Sequence, residues 1–171
     1  MVKTIEPPHH HFHQSKIESF LNLMKVYQNV LLSDEEKKNA VFIIAQNAQE
    51  GVYGGAVLYK KNLYTLHEKI RKVLLTFLPQ QEEVWTATTG YYGAKTEITP
   101  LKGIADLNLK FYSILFEKFK EIGSKKNINF LCLTLTSQEY IKTKNKGFWP
   151  YIMEVSPESS HDLFQGMVTL Q

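Results

Sequence analysis

The sequence predicts a single domain of mixed α/β class, and two observations carry that prediction. Short runs rich in Val, Ile and aromatic residues alternate with longer segments in which apolar residues recur at helical spacing. The chain has 171 residues, of which 43% are hydrophobic and 22% charged, as in an ordinary globular domain. No internal repeat or low-complexity linker divides it. We therefore expect one domain over residues 15–171, preceded by a flexible arm over residues 1–14.

The basic residues argue against a nucleic-acid partner. The net charge is +3, and all 20 basic residues are lysines except Arg71. Arginine is the residue that reads phosphate and guanine through paired hydrogen bonds, and it is almost absent here. The lysines therefore indicate a solvated surface with a mild attraction for an anionic cofactor.

The sequence also predicts a cytoplasmic protein without membrane contact. Its N-terminal residues contain no apolar stretch typical of a signal peptide, and the longest unbroken apolar run covers only residues 40–45. Cys132 is the single cysteine, so an internal disulfide and a zinc site made of cysteines alone are excluded. We expect its thiol to be buried and inert.

Histidines dominate the N-terminal arm. Pro7 and Pro8 disfavour a helix there, and His9, His11 and His13 would share one side of an extended strand. Such a row could gather a metal ion. The alternative is a plain polar arm, because a free tail provides no surrounding groups to orient the imidazoles. We expect no metal site.

The first half of the chain predicts a helix, a strand hairpin and a second helix. Ser15 and Glu18 have the spacing of a capping box at the start of the first helix. Strands at residues 40–46 and 52–60 flank a loop that suits a hairpin. Gly54-Gly55 in the second strand indicates either a β-bulge or the close approach of a ligand to the backbone. Apolar residues at helical spacing over residues 63–78 predict the second helix.

The second half alternates strands with helices. Glu83 begins a third strand, residues 90–100 are irregular, and a long amphipathic helix then runs from about Ile104 to Gly123 as its C-terminal cap. The remaining elements are a strand, a short helix and two closing strands, at residues 127–135, 136–147, 150–155 and 163–170.

From residue 40 onward this order resembles the GNAT superfamily of acyl-CoA-dependent N-acetyltransferases, with one inserted helix at residues 63–78. Gly54, Gly55 and Ala56 lie in a strand similar to the one that hydrogen-bonds the pantetheine arm of acyl-CoA in that family. Lys146-Gly147-Phe148 is similar to the family's turn before the last strands. The resemblance implies a central, mostly antiparallel sheet with helices on both faces.

A third point of resemblance is the start of the long helix. Gly103-Ile104-Ala105 fits the second half of the family's Q/R-x-x-G-x-G/A pyrophosphate loop, and Lys102 precedes it. Free N–H groups and the positive end of the helix dipole suit an anion at such a position. The resemblance therefore implies acetyl-CoA as co-substrate, bound in part by Lys102, Gly103, Ile104 and Ala105.

The sequence departs from the family's pattern at the pyrophosphate loop and at the residue that donates a proton to the leaving thiolate. Pro100 occupies the Q/R position, and Thr143 stands where the family often has a tyrosine as proton donor to the leaving thiolate. Tyr140 is the best remaining donor, although packing of the short helix is the alternative role. Glu83 is the candidate base, with Glu97 and His67 as further candidates. For each of these three, an exposed surface group is the alternative.

Three functions stay open at this point. The first is an acyl-CoA-dependent N-acyltransferase that moves an acetyl group to a small-molecule or peptide amine. The second is a GNAT-like binding or regulatory module without catalysis, which Pro100 and Thr143 favour. The third is a metal-binding or interaction protein that acts through the histidine arm. The sequence does not determine the acceptor or the oligomeric state, for which a homodimer is one option.

Overall fold

A computed structural model of the chain describes residues 1–49, 51–66, 68–78, 80–93, 101–136 and 163–170. Its strands are β1 (Val2–Ile5), β2 (Val41–Asn47), β3 (Gly51–Asn62), β4 (Glu83–Tyr91), β5 (Phe130–Thr136) and β6 (Leu163–Thr169). Its α-helices are α1 (Gln14–Gln28), α2 (Asp34–Asn39), α3 (Glu68–Phe77) and α4 (Leu101–Lys126). None of the described helices is long and apolar enough to cross a membrane.

The described strands form one sheet in the order of the chain, β1-β2-β3-β4-β5-β6. Neighbouring strands are antiparallel except β4 and β5, which are parallel. A parallel pair requires a long crossover, and α4 lies in the connection from β4 to β5. The structure therefore confirms the predicted mixed α/β class and the mostly antiparallel sheet.

Both faces of the sheet are covered by helices, as predicted. On one face α4 packs Phe111, Leu115 and Phe119 against strand residues such as Ile43 and Leu58. On the other face α1 packs Phe20 and Met24 against the side chains that alternate with those. α3 covers a smaller cluster beside α1, which contains Leu63, Leu66, Ile70, Leu74, Val84 and Cys132. The alternation of strand side chains thus gives two cores, one for each face.

The N-terminal segment differs from the predicted flexible arm. Val2–Ile5 pairs with β2 as an edge strand, with Ile5 opposite Phe42. The Ile5 side chain is buried in the α1-side core, and the Met1 ammonium donates to the Gln46 carbonyl at 2.9 Å. Burial of Ile5 and the strand hydrogen bonds offset the entropy that a free arm would keep.

The histidines also differ from their predicted arrangement. Residues His9–His13 form a 3₁₀ helix and not an extended strand, so the odd-numbered histidines do not share one side. His10 Nε2 lies 2.8 Å from the Ala40 carbonyl oxygen. Within the described residues, no three His, Cys, Asp or Glu side chains are placed to hold a metal ion.

Two predicted helix caps are placed elsewhere. α1 begins one residue before Ser15, without a side-chain cap, whereas Ser33 and Glu36 form a reciprocal capping box at α2. α4 continues past Gly123 to Lys126, and Asn127 takes the left-handed conformation that ends it, with φ 56°. Gly123 serves close packing instead, because an added Cβ would lie 2.8 Å from the Leu170 Cδ1 atom.

Candidate functional site

The sheet opens where β4 and β5 end. Their parallel register covers only Thr86 to Thr88 against Cys132 to Thr134. β4 continues to Tyr91 and β5 to Thr136, so both strands extend beyond their last registered pair. The carboxyl ends of parallel strands are a common place for a ligand in α/β proteins. This opening is the first part of the candidate site.

The main chain of β4 faces the opening in a defined pattern. The Tyr92 N–H donates to the Tyr53 carbonyl at 2.7 Å, which fixes the alternation of hydrogen bonds between β3 and β4. In an antiparallel pair, residues alternate between exchanging hydrogen bonds with the partner strand and pointing away from it. Tyr92, directly after β4, belongs to the set of residues that hydrogen-bond β3. Thr89 lies three residues before it and so belongs to the other set, whose main-chain groups are directed to the β5 side. The backbone groups of alternate β4 residues, Thr89 among them, are therefore directed toward the opening.

The start of α4 lies at the same end of the sheet. Phe111 of α4 packs on Tyr91, with ring centroids 5.1 Å apart. Gly103 precedes Phe111 by two turns of helix, which is about 12 Å along the helix axis. Lys102, Gly103, Ile104 and Ala105 thus belong to the first turns of α4, beyond the end of β4. The first four N–H groups of a helix have no acceptor within the helix, which leaves them available to an anion.

Gly54, Gly55 and Ala56 occupy the interior of the sheet. Gly54 pairs with Ala45 on one side and Tyr91 on the other, and Gly55 pairs with Ile44 and Gly90. The register between β2 and β3 shifts beside them, so the predicted β-bulge is present. Because β3 is paired along both edges here, the strand edge that meets the opening is β4 and not β3.

Steric fit explains both glycines. A Cβ at Gly54 would lie 2.7 Å from the Gly90 carbonyl oxygen and 3.1 Å from the Phe111 ring. A Cβ at Gly55 would overlap the Ile43 carbonyl oxygen, and Gly55 has φ 156°, which L side chains rarely adopt. The pair lets β2, β3, β4 and α4 approach closely, so here protein atoms occupy the space that the sequence analysis assigned to a bulge or a ligand.

Glu83 lies far from the opening. It is exposed at the first position of β4, five residues before Thr88, which corresponds to about 17 Å along a strand. At that end it lines two clefts of about 460 and 640 Å³, together with Lys60, Asn62 and Trp85. A general base acts within hydrogen-bond reach of its proton or through one water, so Glu83 is not placed to act at the opening. Tyr140, Glu97, His67, Pro100 and Thr143 lie outside the described residues.

Sequence reasoning missed two polar residues beside the opening. Gln28 is only 3% exposed, and its Nε2 donates to the Thr89 carbonyl at 2.8 Å. The Tyr92 hydroxyl donates to Gln28 Oε1, also at 2.8 Å. Gln28 follows Met24 by four residues on the buried face of α1. A polar residue on an apolar helix face was the signal that could have identified it.

Hydroxyl groups line the α1 and α3 side of the sheet near the opening. Tyr59 Oη lies 3.5 Å from Thr88 Oγ1, and burial raises the pKa of Tyr59 above its ordinary value. Thr86 Oγ1 is buried and has no hydrogen-bond partner among the described residues. Among the described residues, this face of the sheet therefore carries buried hydroxyl groups next to the opening.

Comparisons with known proteins identify the fold. No family model and no curated protein sequence matches the chain. Among solved structures, the chain is similar to BjaI, a CoA-dependent acyl-homoserine lactone synthase solved with SAM and isopentyl-CoA, with a TM-score of 0.59 and 12% identity over 100% of this chain and 83% of that one. The chain has a GNAT-like fold.

Two further structures have the same GNAT-like fold. MesI, another CoA-dependent acyl-homoserine lactone synthase, gives a TM-score of 0.58 and 12% identity over 100% of this chain and 89% of that one. FeeM, an N-acyl amino acid synthase from uncultured soil microbes, gives 0.54 and 10% identity over 99% of this chain and 90% of that one. At such identities the likeness concerns the fold, which agrees with the family resemblance of the sequence.

Proposed function

We propose that the protein is an acyl-CoA-dependent N-acyltransferase. The observation that carries this proposal is the opening between β4 and β5 at the end of the sheet where α4 begins. A thioester arm with amide groups suits a strand edge, and a pyrophosphate suits a helix N-terminus. The structural neighbours BjaI, MesI and FeeM are by their names acyl-homoserine lactone or N-acyl amino acid synthases, which supports transfer of an acyl group to an amine.

Coenzyme A would bind across the β4 edge and the start of α4. In this proposal the main chain around Lys102, Gly103, Ile104 and Ala105 holds the pyrophosphate, and the Lys102 ammonium adds attraction. The pantetheine arm follows the edge of β4 beyond Thr88. This replaces the pantetheine role of Gly54, Gly55 and Ala56, because those residues lie in the paired interior of the sheet.

The reaction needs few side chains once the donor is positioned. The amine nitrogen attacks the thioester carbonyl carbon, a C–N bond forms, and the C–S bond breaks to release the coenzyme A thiolate. A base removes the extra proton from the nitrogen, and an acid returns one to the thiolate. Backbone N–H groups at the β4 edge would stabilise the developing oxyanion. Tyr140 remains the predicted proton donor.

The length of the acyl chain is the finer part of the proposal. Acetyl-CoA is the donor that the sequence resemblance implies, and the acceptor is a small-molecule or peptide amine. The neighbour BjaI was solved with isopentyl-CoA, so the donors to be tested should run from acetyl-CoA through isopentyl-CoA to longer chains.

The test begins with calorimetric titration of coenzyme A. We expect the wild type to bind, and Gly103→Val to reduce the affinity at least tenfold because a branched side chain blocks the approach of phosphate to the helix N-terminus. Lys102→Ala should reduce it less, and this smaller loss should shrink at high salt because dissolved ions screen the attraction between charges. Lys110→Ala, which removes an exposed charge from the same helix, is the control. Gly123→Ala is unsuitable as a control because Gly123 packs against Leu170.

Turnover then separates the enzyme from the binding module. Release of free coenzyme A thiol is measured with each acyl-CoA in the presence of amino acids, SAM and other amines. Amine-dependent release supports the acyltransferase. Tight binding without release for any pair supports the non-catalytic module, which Pro100 and Thr143 favour. If the wild type binds neither coenzyme A nor its thioesters, the proposal is wrong.

A further inference from the structure

Gln28 connects α1 to the open edge of β4. It is the last residue of α1 and is almost fully buried, at 3% exposure. Its Nε2 donates to the Thr89 carbonyl, which belongs to the first residue of β4 after the registered pair Thr88–Thr134. The main-chain groups of Thr89 are directed to the β5 side, as the β3–β4 alternation requires. The Gln28 amide therefore hydrogen-bonds β4 at the point where the sheet opens.

The second hydrogen bond of Gln28 fixes the segment that leaves β4. Its Oε1 accepts from the Tyr92 hydroxyl at 2.8 Å. The Tyr92 ring folds back so closely over β4 that a Cβ at Gly90 would overlap its hydroxyl group. Tyr27 stacks on the same ring, with centroids 5.3 Å apart and an interplanar angle of 26°. Tyr92 is thus held by α1 on one side and by the surface of β4 on the other.

Burying the amide of Gln28 costs desolvation energy, which its two hydrogen bonds offset. Removing one partner of a buried hydrogen bond leaves the other without compensation for its lost water contacts. α1 already has Ile17, Phe20 and Met24 to anchor it to the sheet, so an apolar residue would serve a purely structural role at position 28. The Gln28 amide instead hydrogen-bonds both the Thr89 carbonyl of β4 and the Tyr92 hydroxyl at the end of that strand.

We infer that Gln28 and Tyr92 are positioning residues for the acyl-CoA donor. Gln28 keeps the edge of β4 in place at the opening, and Tyr92 holds the end of β4 against α1. The two residues would act through the backbone and would not contact the reacting atoms. This inference rests on the proposed function, because it assigns the edge of β4 and the start of α4 to coenzyme A.

The experiment measures coenzyme A affinity by calorimetry on full-length Gln28→Met and Tyr92→Phe, at a temperature where each is fully folded. Gln28→Met keeps the length of the side chain but removes the donor and acceptor at its end. We expect its dissociation constant to rise about tenfold, which corresponds to the loss of one or two buried hydrogen bonds. Tyr92→Phe removes one oxygen and should raise it severalfold. The double variant should be no weaker than Gln28→Met, since both hydrogen bonds run through Gln28.

Two matched variants separate positioning from stability. Leu74→Ala removes a fully buried side chain from the α3 cluster. It should lower the melting temperature at least as much as Gln28→Met does, without changing coenzyme A affinity. Tyr64→Phe changes a tyrosine that is 69% exposed and should have no effect on either quantity.

The outcomes distinguish this inference from the proposed function. Unchanged affinity in folded Gln28→Met and Tyr92→Phe, with binding by the wild type, overturns the positioning role and leaves the acyltransferase proposal intact. An equal loss of affinity in Leu74→Ala overturns it as well, because the effect then follows stability. If Gln28→Met does not fold, Tyr92→Phe decides alone. Absence of wild-type binding ends the proposed function, and this inference with it.

Discussion

At Gly55 the backbone conformation and the packing of β2 both exclude a side chain. The residue has φ 156°, and an added Cβ would overlap the Ile43 carbonyl oxygen on the neighbouring strand. Gly51, at the start of the same strand, has φ 68° but no atom within 4 Å of an added Cβ. The two positions therefore separate backbone strain from collision within one strand.

Gly55→Ala should destabilise the protein much more than Gly51→Ala. We expect a loss of roughly 3 kcal/mol or more at Gly55, where both strain and collision act, and about 1 kcal/mol at Gly51, where strain acts alone. Urea unfolding of the two variants beside the wild type gives both values. Equal losses would contradict the steric role, and a stable Gly55→Ala that no longer binds coenzyme A would restore the ligand role.

Among the described strands, β1 is the one that the sequence did not predict, and its stability can be tested at a single side chain. Ile5→Ala should lower the free energy of unfolding by about 2–4 kcal/mol, because Ile5 is buried at 2% exposure beneath α1. Lys3→Ala, which removes an exposed side chain from the same strand, should change it by less than about 0.5 kcal/mol. Unfolding curves for both provide the comparison, and a similar small effect at Ile5 would favour the flexible arm.

Elements with strong periodicity were predictable, whereas those defined by tertiary contacts were not. The predicted strand at residues 40–46 matches β2, and Glu83 begins β4 as expected. β1 has only four residues, two of them apolar, and its strand state depends on pairing with β2. Gly123 suggested a helix end, but the contact with Leu170 explains it, and Leu170 is far away in the sequence.

The candidate site was only partly predictable for the same reason. The first turns of α4 were identified, because an amphipathic helix with a glycine at its start is a local pattern. Which strand edge meets the opening depends on sheet order and register, and these place the edge of β4, and not that of β3, at the opening. The Gln28–Thr89 contact spans 61 residues, so no local pattern connects its two ends.

On the scale of the whole molecule, the helices α1 and α3, which cover one face of the sheet, bury two groups that ionise only at high pH. Cys132 lies in the cluster beneath α3, and burial raises the pKa of its thiol to about 12. Burial also raises the pKa of Tyr59, which lies in the core beneath α1. An unfolded cysteine loses its proton near pH 8.5–9. Global stability should therefore depend on pH above neutrality.

The sign of this dependence follows from proton binding. Below about pH 8.5, Cys132 is protonated in both states, and its contribution to the free energy of unfolding is fully present. Between there and about pH 12 the folded state keeps a proton that the unfolded state has lost, so stability falls as pH rises by up to about 1.4 kcal/mol per unit. Tyr59 adds a loss in the same direction above pH 10, where the unfolded tyrosine ionises.

Removing the thiol should therefore flatten the pH profile. We expect wild-type protein to lose on the order of 1.5 kcal/mol more than Cys132→Ala between pH 8 and pH 10, measured by urea unfolding at each pH. The comparison uses the difference between the two pH values for each protein, so the cavity that alanine leaves at pH 8 cancels. Tyr59 is present in both proteins and acts mainly above this window. Parallel pH profiles for the two proteins would mean that the Cys132 thiol is accessible to water in the folded state, and that α3 does not seal this side of the sheet.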